Sequence, residues 1–240
     1  MVGFVTWEFL VPFFSLLLLI PVDPVAFTLL FVGFMSLYEC GYLVNDSAAS
    51  CNESGGNRLG GLSIRKIEFC IIRLSLFLLI VISAISILGL NEVFLFIGSV
   101  LFTTSLLLLH SSPLLYRRKL MRMFSFTGLA SYKYAPYILP FAGVVEGSKI
   151  LMALFLCYGF PRVLIYGFRK FGGGESRAIT AHQMTLQGAA IMAFFPLLVA
   201  ASSDQTISSN AFFQVWVVSF VAWIGMRTLR KVRRMMAGET

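Results

Sequence analysis

Eight apolar runs follow one another along the chain, and their length is the feature that most constrains its fold. Each run is long enough, at about 1.5 Å of rise per helical residue, to cross most of a hydrocarbon layer about 30 Å thick. Inside such a layer every backbone N–H and C=O must be paired within the protein, which favours helices. The sequence therefore predicts an all-α, polytopic transmembrane helical bundle of about eight spans, at residues 3–20, 25–45, 68–90, 93–110, 126–144, 148–168, 184–202 and 211–229.

The charge content agrees with this fold class. Only 12% of the 240 residues are charged and 58% are hydrophobic, with a mean hydropathy of +0.85, whereas soluble domains carry about 25% charged residues. The formal net charge of +8 is therefore interpreted as a signal of membrane topology and not of nucleic-acid binding. No soluble segment separates the runs, so residues 1–240 are predicted to form a single transmembrane helical domain.

The number of spans decides on which side of the membrane the basic residues lie. The fifth and sixth runs could form one broken span, because Pro136, Pro140, Glu146 and Lys149 interrupt them. Eight spans place almost every Lys and Arg on one side, whereas seven spans would split them, and Lys and Arg accumulate in cytoplasmic loops. The sequence thus predicts eight spans with both termini cytoplasmic, in the inner membrane if the protein is bacterial.

One stretch departs from the apolar pattern: YECGYLVNDSAASCNESGGNR, residues 38–58. If the second span stays helical to Asp46, then Glu39, Tyr42 and Asp46 lie on one face, at positions i, i+3 and i+7. A non-helical Ser/Ala/Asn/Gly stretch is expected to follow and to bring Glu53 back towards the helix end. Ionisable residues in an apolar segment are costly and indicate a functional site.

Residues of this stretch suit a Mg²⁺ ion bound at the membrane surface. Mg²⁺ is usually held by one or two carboxylates together with phosphate oxygens and waters, and Asp46 and Glu53, beside Asn45, supply carboxylates. Tyr42 could orient a carboxylate or turn its ring towards a developing cation. Basic side chains neutralise phosphate charge, and the candidates are Arg58, Arg117, Arg118 and Lys119.

A structural role is the alternative for the same residues. A carboxylate at a helix end beside a basic loop is also typical of a solvated helix end that fixes topology. The segment from His110 to Lys119 is likewise typical of interfacial anchoring, in which long basic side chains reach towards the headgroups.

The order ExGYxxND at residues 39–46, followed by Glu53, resembles the first Asp-rich motif of the UbiA superfamily of intramembrane prenyltransferases. In that family the motif reads NDxxDxxxD and ends the second helix on the cytoplasmic side. Asn45 and Asp46 match its start, Ala49 stands where the middle Asp is expected, and Glu53 lies close to its end.

The resemblance implies a UbiA-like fold and a transferase that acts on an isoprenoid lipid. In the family, two Asp-rich motifs bind Mg²⁺ and the donor's diphosphate, which departs as an aromatic or other acceptor attacks the allylic carbon. In some relatives the donor is a phosphoribosyl diphosphate and the acceptor a polyprenyl phosphate. Carried over, the catalytic candidates are Asp46, Asn45 and Tyr42, the metal ligands Asp46, Glu53 and Glu175, and the substrate-binding candidates Arg58, Arg117, Arg118, Lys119 and Glu39.

The second Asp-rich motif is expected between the sixth and seventh spans, where the sequence offers Glu175 as the single carboxylate of segment 169–177. Three functions therefore stay open: a divergent transferase, a catalytically inactive lipid-binding subunit of a larger membrane complex, or a small lipid transporter. The expected partners are an isoprenoid or polyprenyl lipid and the bilayer, together with a membrane-protein partner or a second copy of the chain.

Overall fold

The computed structural model describes residues 5–52, 64–116, 118–171, 183–201 and 207–236. Within these ranges all regular structure is helical, which confirms the all-α prediction. Four helices in the described part of the chain are long and apolar enough to cross a membrane: Pro24–Ala48, Arg65–Ile87, Leu90–His110 and Ala135–Phe168. The shorter apolar helices there are Thr6–Leu17 and Thr185–Phe194. A total of about eight spans stays a prediction.

The helices form two compact units. The central unit comprises Val22–Gly147, and the terminal unit comprises Met1–Pro21 with Ser148–Thr240. π-helical turns at Val5–Leu10 and Phe155–Gly159 precede α1 and α8. The α-helices are α1 Val11–Leu17, α2 Pro24–Asn52, α3 Ile64–Ile87, α4 Leu90–His110, α5 Pro113–Tyr116, α6 Lys119–Tyr132, α7 Ala135–Leu154, α8 Phe160–Phe171, α9 Gln183–Ala201 and α10 Ile207–Met236.

Helices α2 and α3 of the central unit pack side by side and run in opposite directions. Gly33 lies opposite Ile80, and Cys40 lies opposite Cys70, whose carbonyl oxygen is 3.9 Å from the Cys40 Sγ. A Cβ at position 33 would lie only 2.8 Å from the Ile80 Cγ2. The glycine therefore permits the close approach of the two helices, as small residues do in membrane bundles.

Aromatic side chains line one face of α2. They recur every three or four residues, which places them on one stripe of the helix. The α7 residue Tyr137 packs against the first three, with ring centroids 5.4 to 6.0 Å apart, and the last two contact each other at 4.8 Å. This aromatic stripe leads along α2 to Asn45 and Asp46, and its members are Phe27, Phe31, Phe34, Tyr38 and Tyr42.

The chain breaks its helical path between α6 and α7, and Pro136 explains where. A proline has no N–H for the carbonyl four residues earlier, which here is the carbonyl of Tyr132. The Thr103 hydroxyl of α4 donates to that carbonyl at 3.4 Å instead. The hydroxyl thus pairs a backbone group that the proline would otherwise leave without its helical donor, as an apolar environment requires.

A second break lies inside α7, at Gly143, whose φ of 68° and ψ of 179° are not helical. Glycine adopts a positive φ without the steric cost that a side chain would impose. The helix continues through Glu146 and Lys149 to Leu154. The sequence placed the interruption of this region at the prolines and charged residues, and the structure has a two-residue turn at Lys133–Tyr134, just before Pro136, and non-helical dihedral angles at Gly143.

In the terminal unit, a proline lies two residues after the end of each π-helical turn. Pro12 follows the turn at Val5–Leu10, and Pro161 follows the turn at Phe155–Gly159. Each proline withholds an N–H from the carbonyl four residues earlier, in Glu8 and Cys157 respectively. A local shift to i→i+5 bonding is one way for a helix to accommodate this loss, and the Phe160 N–H indeed bonds to the Phe155 carbonyl.

Replacing Thr103 by Val tests the account of the α6–α7 break. Thr103 is fully buried, and Val keeps its shape but removes the donor to the Tyr132 carbonyl. We expect the free energy of unfolding in detergent to fall by about 1 kcal/mol. In a Pro136→Ala background the cost should be smaller, because the backbone N–H that this substitution restores can bond to the same carbonyl. An equal cost in both backgrounds would contradict this account.

Candidate functional site

The end of α2 carries the residues that the sequence singles out. Asn45 and Asp46 are half-buried, and Ser47 is buried. Tyr42 is 45% exposed, and its ring meets that of Tyr38 edge-on. An amide, a carboxylate and a phenol thus lie within two turns of one helix, beside an apolar aromatic stripe.

The prediction of a non-helical stretch directly after Asp46 is wrong for the first six residues of that stretch. Helix α2 continues through Ser47 to Asn52, so the chain does not turn back directly after the Asn-Asp pair. Ala48 and Ala49 are strong helix formers, and extending an existing helix costs far less than nucleating a new one. Glu53 lies outside the described residues.

Four of the predicted site residues lie outside the described residues, so their roles stay predictions. They are Glu53, Arg58, Arg117 and Glu175. Arg118 and Lys119, at the start of α6, are exposed. They are therefore accessible to an anionic ligand at this end of the central unit.

Glu39 has a partner on the neighbouring helix. Its Oε2 lies 2.7 Å from the Arg73 Nη2 of α3, in ion-pair contact without the alignment of a hydrogen bond. The Arg73 guanidinium also lies over the Phe69 ring, 5.0 Å from its centroid. Glu39 was predicted to bind substrate, and the structure gives it an interhelical contact that can serve packing alone.

A buried polar cluster lies at the C-terminal end of α4. The sequence pattern of the segment from His110 to Lys119, which contains part of this cluster, was interpreted as typical of interfacial anchoring. His110, Ser111, Arg122 and Ser125 are each about 5% exposed. The His110 Nδ1 lies 2.9 Å from the Ser125 Oγ, and the Ser125 hydroxyl donates to the Arg122 carbonyl at 3.0 Å. Because a hydroxyl has one hydrogen, Ser125 accepts from His110. The Nδ1 is therefore the donor, and in the neutral ring the Nε2 carries the lone pair.

The end of α2 and this polar cluster lie at the same end of the central unit. Gly41 faces Leu107 so closely that a Cβ would meet the leucine side chain, and α2 also contacts the short helix α5. Asp46 lies about 7.5 Å along α2 beyond Gly41, and His110 about 4.5 Å along α4 beyond Leu107. Acidic, imidazole and guanidinium groups thus gather at one end.

A second polar cluster, in the terminal unit, has no counterpart among the predicted site residues. Glu8 is 5% exposed, and its Oε1 accepts from the Tyr158 hydroxyl at 3.3 Å and from the Arg162 Nη1 at 3.4 Å. Trp7 stacks on Tyr158 at 4.9 Å. The two π-helical turns bring these groups together, since Trp7 and Glu8 lie on one and Tyr158 on the other.

Within the described residues, no group of three or more His, Cys, Asp or Glu side chains is arranged to hold a metal ion. Comparison of the chain with protein-family models, with curated proteins and with solved structures finds no match. The candidate site therefore rests on the residues of the chain itself.

A double-mutant cycle on Glu39 and Arg73 tests whether their contact is structural. We expect Glu39→Gln and Arg73→Gln each to lower the melting temperature in detergent, and the double variant to lose less than the sum. The coupling expected for such a contact is about 1 kcal/mol. Strictly additive losses would contradict the pairing. A change in ligand response in Glu39→Gln alone would instead favour the predicted role in substrate binding.

Proposed function

We propose that this protein is a UbiA-like intramembrane transferase acting on an isoprenoid lipid. In this proposal about eight spans form the UbiA-like fold, both termini are cytoplasmic, and the reaction takes place in a cavity facing the cytoplasm. The donor is a prenyl diphosphate or a phosphoribosyl diphosphate. The observation that carries the proposal is the position of the Asn45–Asp46 pair, in the last two turns of α2, after its aromatic stripe and at the same end of the central unit as the exposed Arg118 and Lys119.

The aromatic stripe of α2 suits an isoprenoid chain. Aromatic faces provide large apolar contact area, and their π electrons attract cationic groups within about 6 Å. Tyr42 is the member nearest to Asp46 and is partly exposed. The first rings of the stripe are packed on Tyr137, so in the proposed reaction the reactive end of the isoprenoid lies beside Asp46 and the exposed Tyr42.

The residues at the end of α2 fit a magnesium ion held largely by its substrate. Asp46 supplies one half-buried carboxylate, and Mg²⁺ often needs only one or two from the protein when phosphate oxygens complete its shell. Asp46, with Glu53 and Glu175, would hold the ion. When bound, it would neutralise the charge that develops on the departing diphosphate.

Basic side chains have a separate task in this proposal. Arg118 and Lys119 are exposed at the start of α6, where they can attract and orient the diphosphate by charge-assisted hydrogen bonds. Arg58 and Arg117 are proposed to add to the same field. The electron pair of the broken C–O bond stays on the diphosphate, which these cations stabilise.

A catalytically inactive, lipid-binding subunit is the second candidate. The pairing of Glu39 with Arg73 favours this candidate. With Glu39 paired, the described end of α2 offers a metal the carboxylate of Asp46. In that case the aromatic stripe would bind lipid, and Asp46 could be replaced without loss of function.

Ligand-dependent thermal stability separates the two candidates. We expect geranylgeranyl diphosphate or phosphoribosyl diphosphate to raise the melting temperature in detergent only when Mg²⁺ is present. A ligand at 100 times its Kd stabilises the folded state by about 2.7 kcal/mol. Asp46→Asn should abolish the response, because the amide carries no charge for the metal.

Glu92→Gln is the matched control, since Glu92 lies in the first turn of α4, at its opposite end from His110. It should respond like the unaltered protein. If no diphosphate shifts the melting temperature of the unaltered protein, or if Asp46→Asn responds equally, the transferase proposal is wrong and the lipid-binding subunit is favoured.

A further inference from the structure

The C-terminal end of α10 carries a dense group of cations that the proposed transferase reaction does not use. The sequence predicts a span at 211–229, and α10 continues beyond it to Met236. Five of the ten residues at 227–236 are Arg or Lys, and α10 contains no Asp or Glu over Ile207–Met236. Residues 227–236 thus form a basic segment at the end of the helix.

The two sides of the basic segment differ in chemistry. Helical positions i, i+3, i+4 and i+7 share one face, and Arg or Lys occupies this whole set. At about 100° of rotation per residue, three apolar residues lie on the opposite side of the helix. The basic face therefore consists of Arg227, Arg230, Lys231 and Arg234, and the apolar face consists of Leu229, Val232 and Met236.

Both faces of the basic segment have exposed side chains. Arg227 and Arg230 are exposed on the basic face, and Leu229, Val232 and Met236 are 53%, 38% and 76% exposed on the apolar face. An exposed apolar face opposite a row of cations is typical of helices that bind at a membrane surface. In such helices the apolar side chains point towards the acyl chains and the basic ones reach the headgroups.

The register of α10 against α9 explains why the basic segment is exposed. Gly188 of α9 lies against the Trp223 ring. The Ile191 carbonyl, further along α9, accepts from the Trp216 Nε1 at 2.9 Å, so the two helices run in opposite directions. Helix α9 begins at Gln183, about 7.5 Å before Gly188. Most of the basic segment therefore extends past the described start of its neighbour.

The Trp223 ring marks the level at which the basic segment begins. The Arg227 guanidinium lies over this ring, 5.4 Å from its centroid. Tryptophan is enriched where the hydrocarbon core meets the headgroups, and long basic side chains nearby reach towards the aqueous side. The basic segment is about 15 Å long, which is at least about twice the depth of one headgroup layer. Lipid phosphate groups are therefore within reach along much of its length.

We propose that the basic segment is an interaction surface for anionic phospholipids, whose phosphate groups pair with the basic face while their acyl chains contact the apolar face. Charge complementarity selects this partner, because the segment has five cations and no carboxylate. The C-terminus is predicted to be cytoplasmic, and the cytoplasmic leaflet carries anionic lipid. Topology alone requires only that cations stay on one side of the membrane, whereas binding to a lipid surface also accounts for their order on one helix face.

Native mass spectrometry of the full chain in detergent tests this surface. The probes are dioleoyl phosphatidylglycerol and dioleoyl phosphatidylcholine, which share their acyl chains but differ in net charge. A cation near an anionic lipid surface strengthens binding by roughly fivefold, so we expect the unaltered protein to bind the anionic lipid about tenfold more tightly or better. Arg227→Gln with Arg230→Gln should lower this preference by about fivefold or more. Arg227→Lys with Arg230→Lys should retain most of it.

Arg65→Gln with Lys66→Gln is the matched control, because it removes the same charge from the start of α3 and should leave the preference unchanged. Equal affinity of the unaltered protein for the two lipids would overturn the proposal. A preference that Arg227→Gln with Arg230→Gln leaves unchanged would do the same, as would one that the control lowers equally.

Leu229→Ser with Val232→Ser tests the apolar face in the same experiment. We expect both lipids to bind more weakly by a similar factor, so that the preference for the anionic lipid stays. The spectra also report the number of chains in each complex. A dimer of the unaltered protein that this variant loses would assign the apolar face to a second copy of the chain and would contradict its contact with lipid. Neither probe carries a diphosphate, and α10 contains none of the proposed catalytic residues, so this outcome is separate from the test of the transferase.

Discussion

The pairing of backbone carbonyl groups in apolar surroundings is the constraint on which the rest of this structure depends. Water is absent from a membrane interior, so a carbonyl that loses its helical N–H must find another donor or the helix must change. Pro136 removes such a donor from Tyr132, and the Thr103 hydroxyl replaces it. Pro12 and Pro161 instead follow turns that have widened to π-helical bonding. Two buried charged residues lie at these places: Glu8 is in the π-helical turn at Val5–Leu10, and Lys133 is in the turn between α6 and α7.

Helix α2 connects this scaffold to the proposed chemistry. Its glycines at 33 and 41 allow α3 and α4 to approach closely, while its aromatic stripe packs on Tyr137. The same helix carries Asn45 and Asp46 in its last two turns, at the same end of the central unit as the His110 cluster. One element therefore carries both an exposed aromatic ring, Tyr42, and the polar residues Asn45 and Asp46, and the spacing between them is fixed by helical geometry.

Local patterns in the sequence predicted the helical class and the position of the polar end, because long apolar runs leave few alternatives in a membrane. They also located Asp46 on a helix, although they ended that helix six residues too early. Helix propagation through Ser47–Asn52 outweighed the polar composition of that stretch. Glu39 and Arg73 are far apart in the chain, so only the pairing of α2 with α3 shows that they meet.

Other features had a signal in the sequence that was missed. The carbonyls four residues before Pro12, Pro136 and Pro161 could have been identified as the places where a helix must adjust. By contrast, the burial of Lys133 and the Ser125 partner of His110 follow from the packing of α4 against α6. No local pattern contains that information, because it arises only when the two helices meet.

Electron paramagnetic resonance of bound Mn²⁺ tests the central claim most directly, since Mn²⁺ can replace Mg²⁺ in oxygen-rich sites. The full chain in nanodiscs would be titrated with Mn²⁺ and a non-hydrolysable thiolo-diphosphate analogue of the isoprenoid donor. The account predicts a bound Mn²⁺ signal with hyperfine coupling to the ³¹P nuclei of the diphosphate, and its loss in Asp46→Asn. Two results would contradict a diphosphate site at the end of α2. One is a spectrum identical to that of Mn²⁺ and the analogue without protein, and the other is a ³¹P hyperfine coupling that persists in Asp46→Asn.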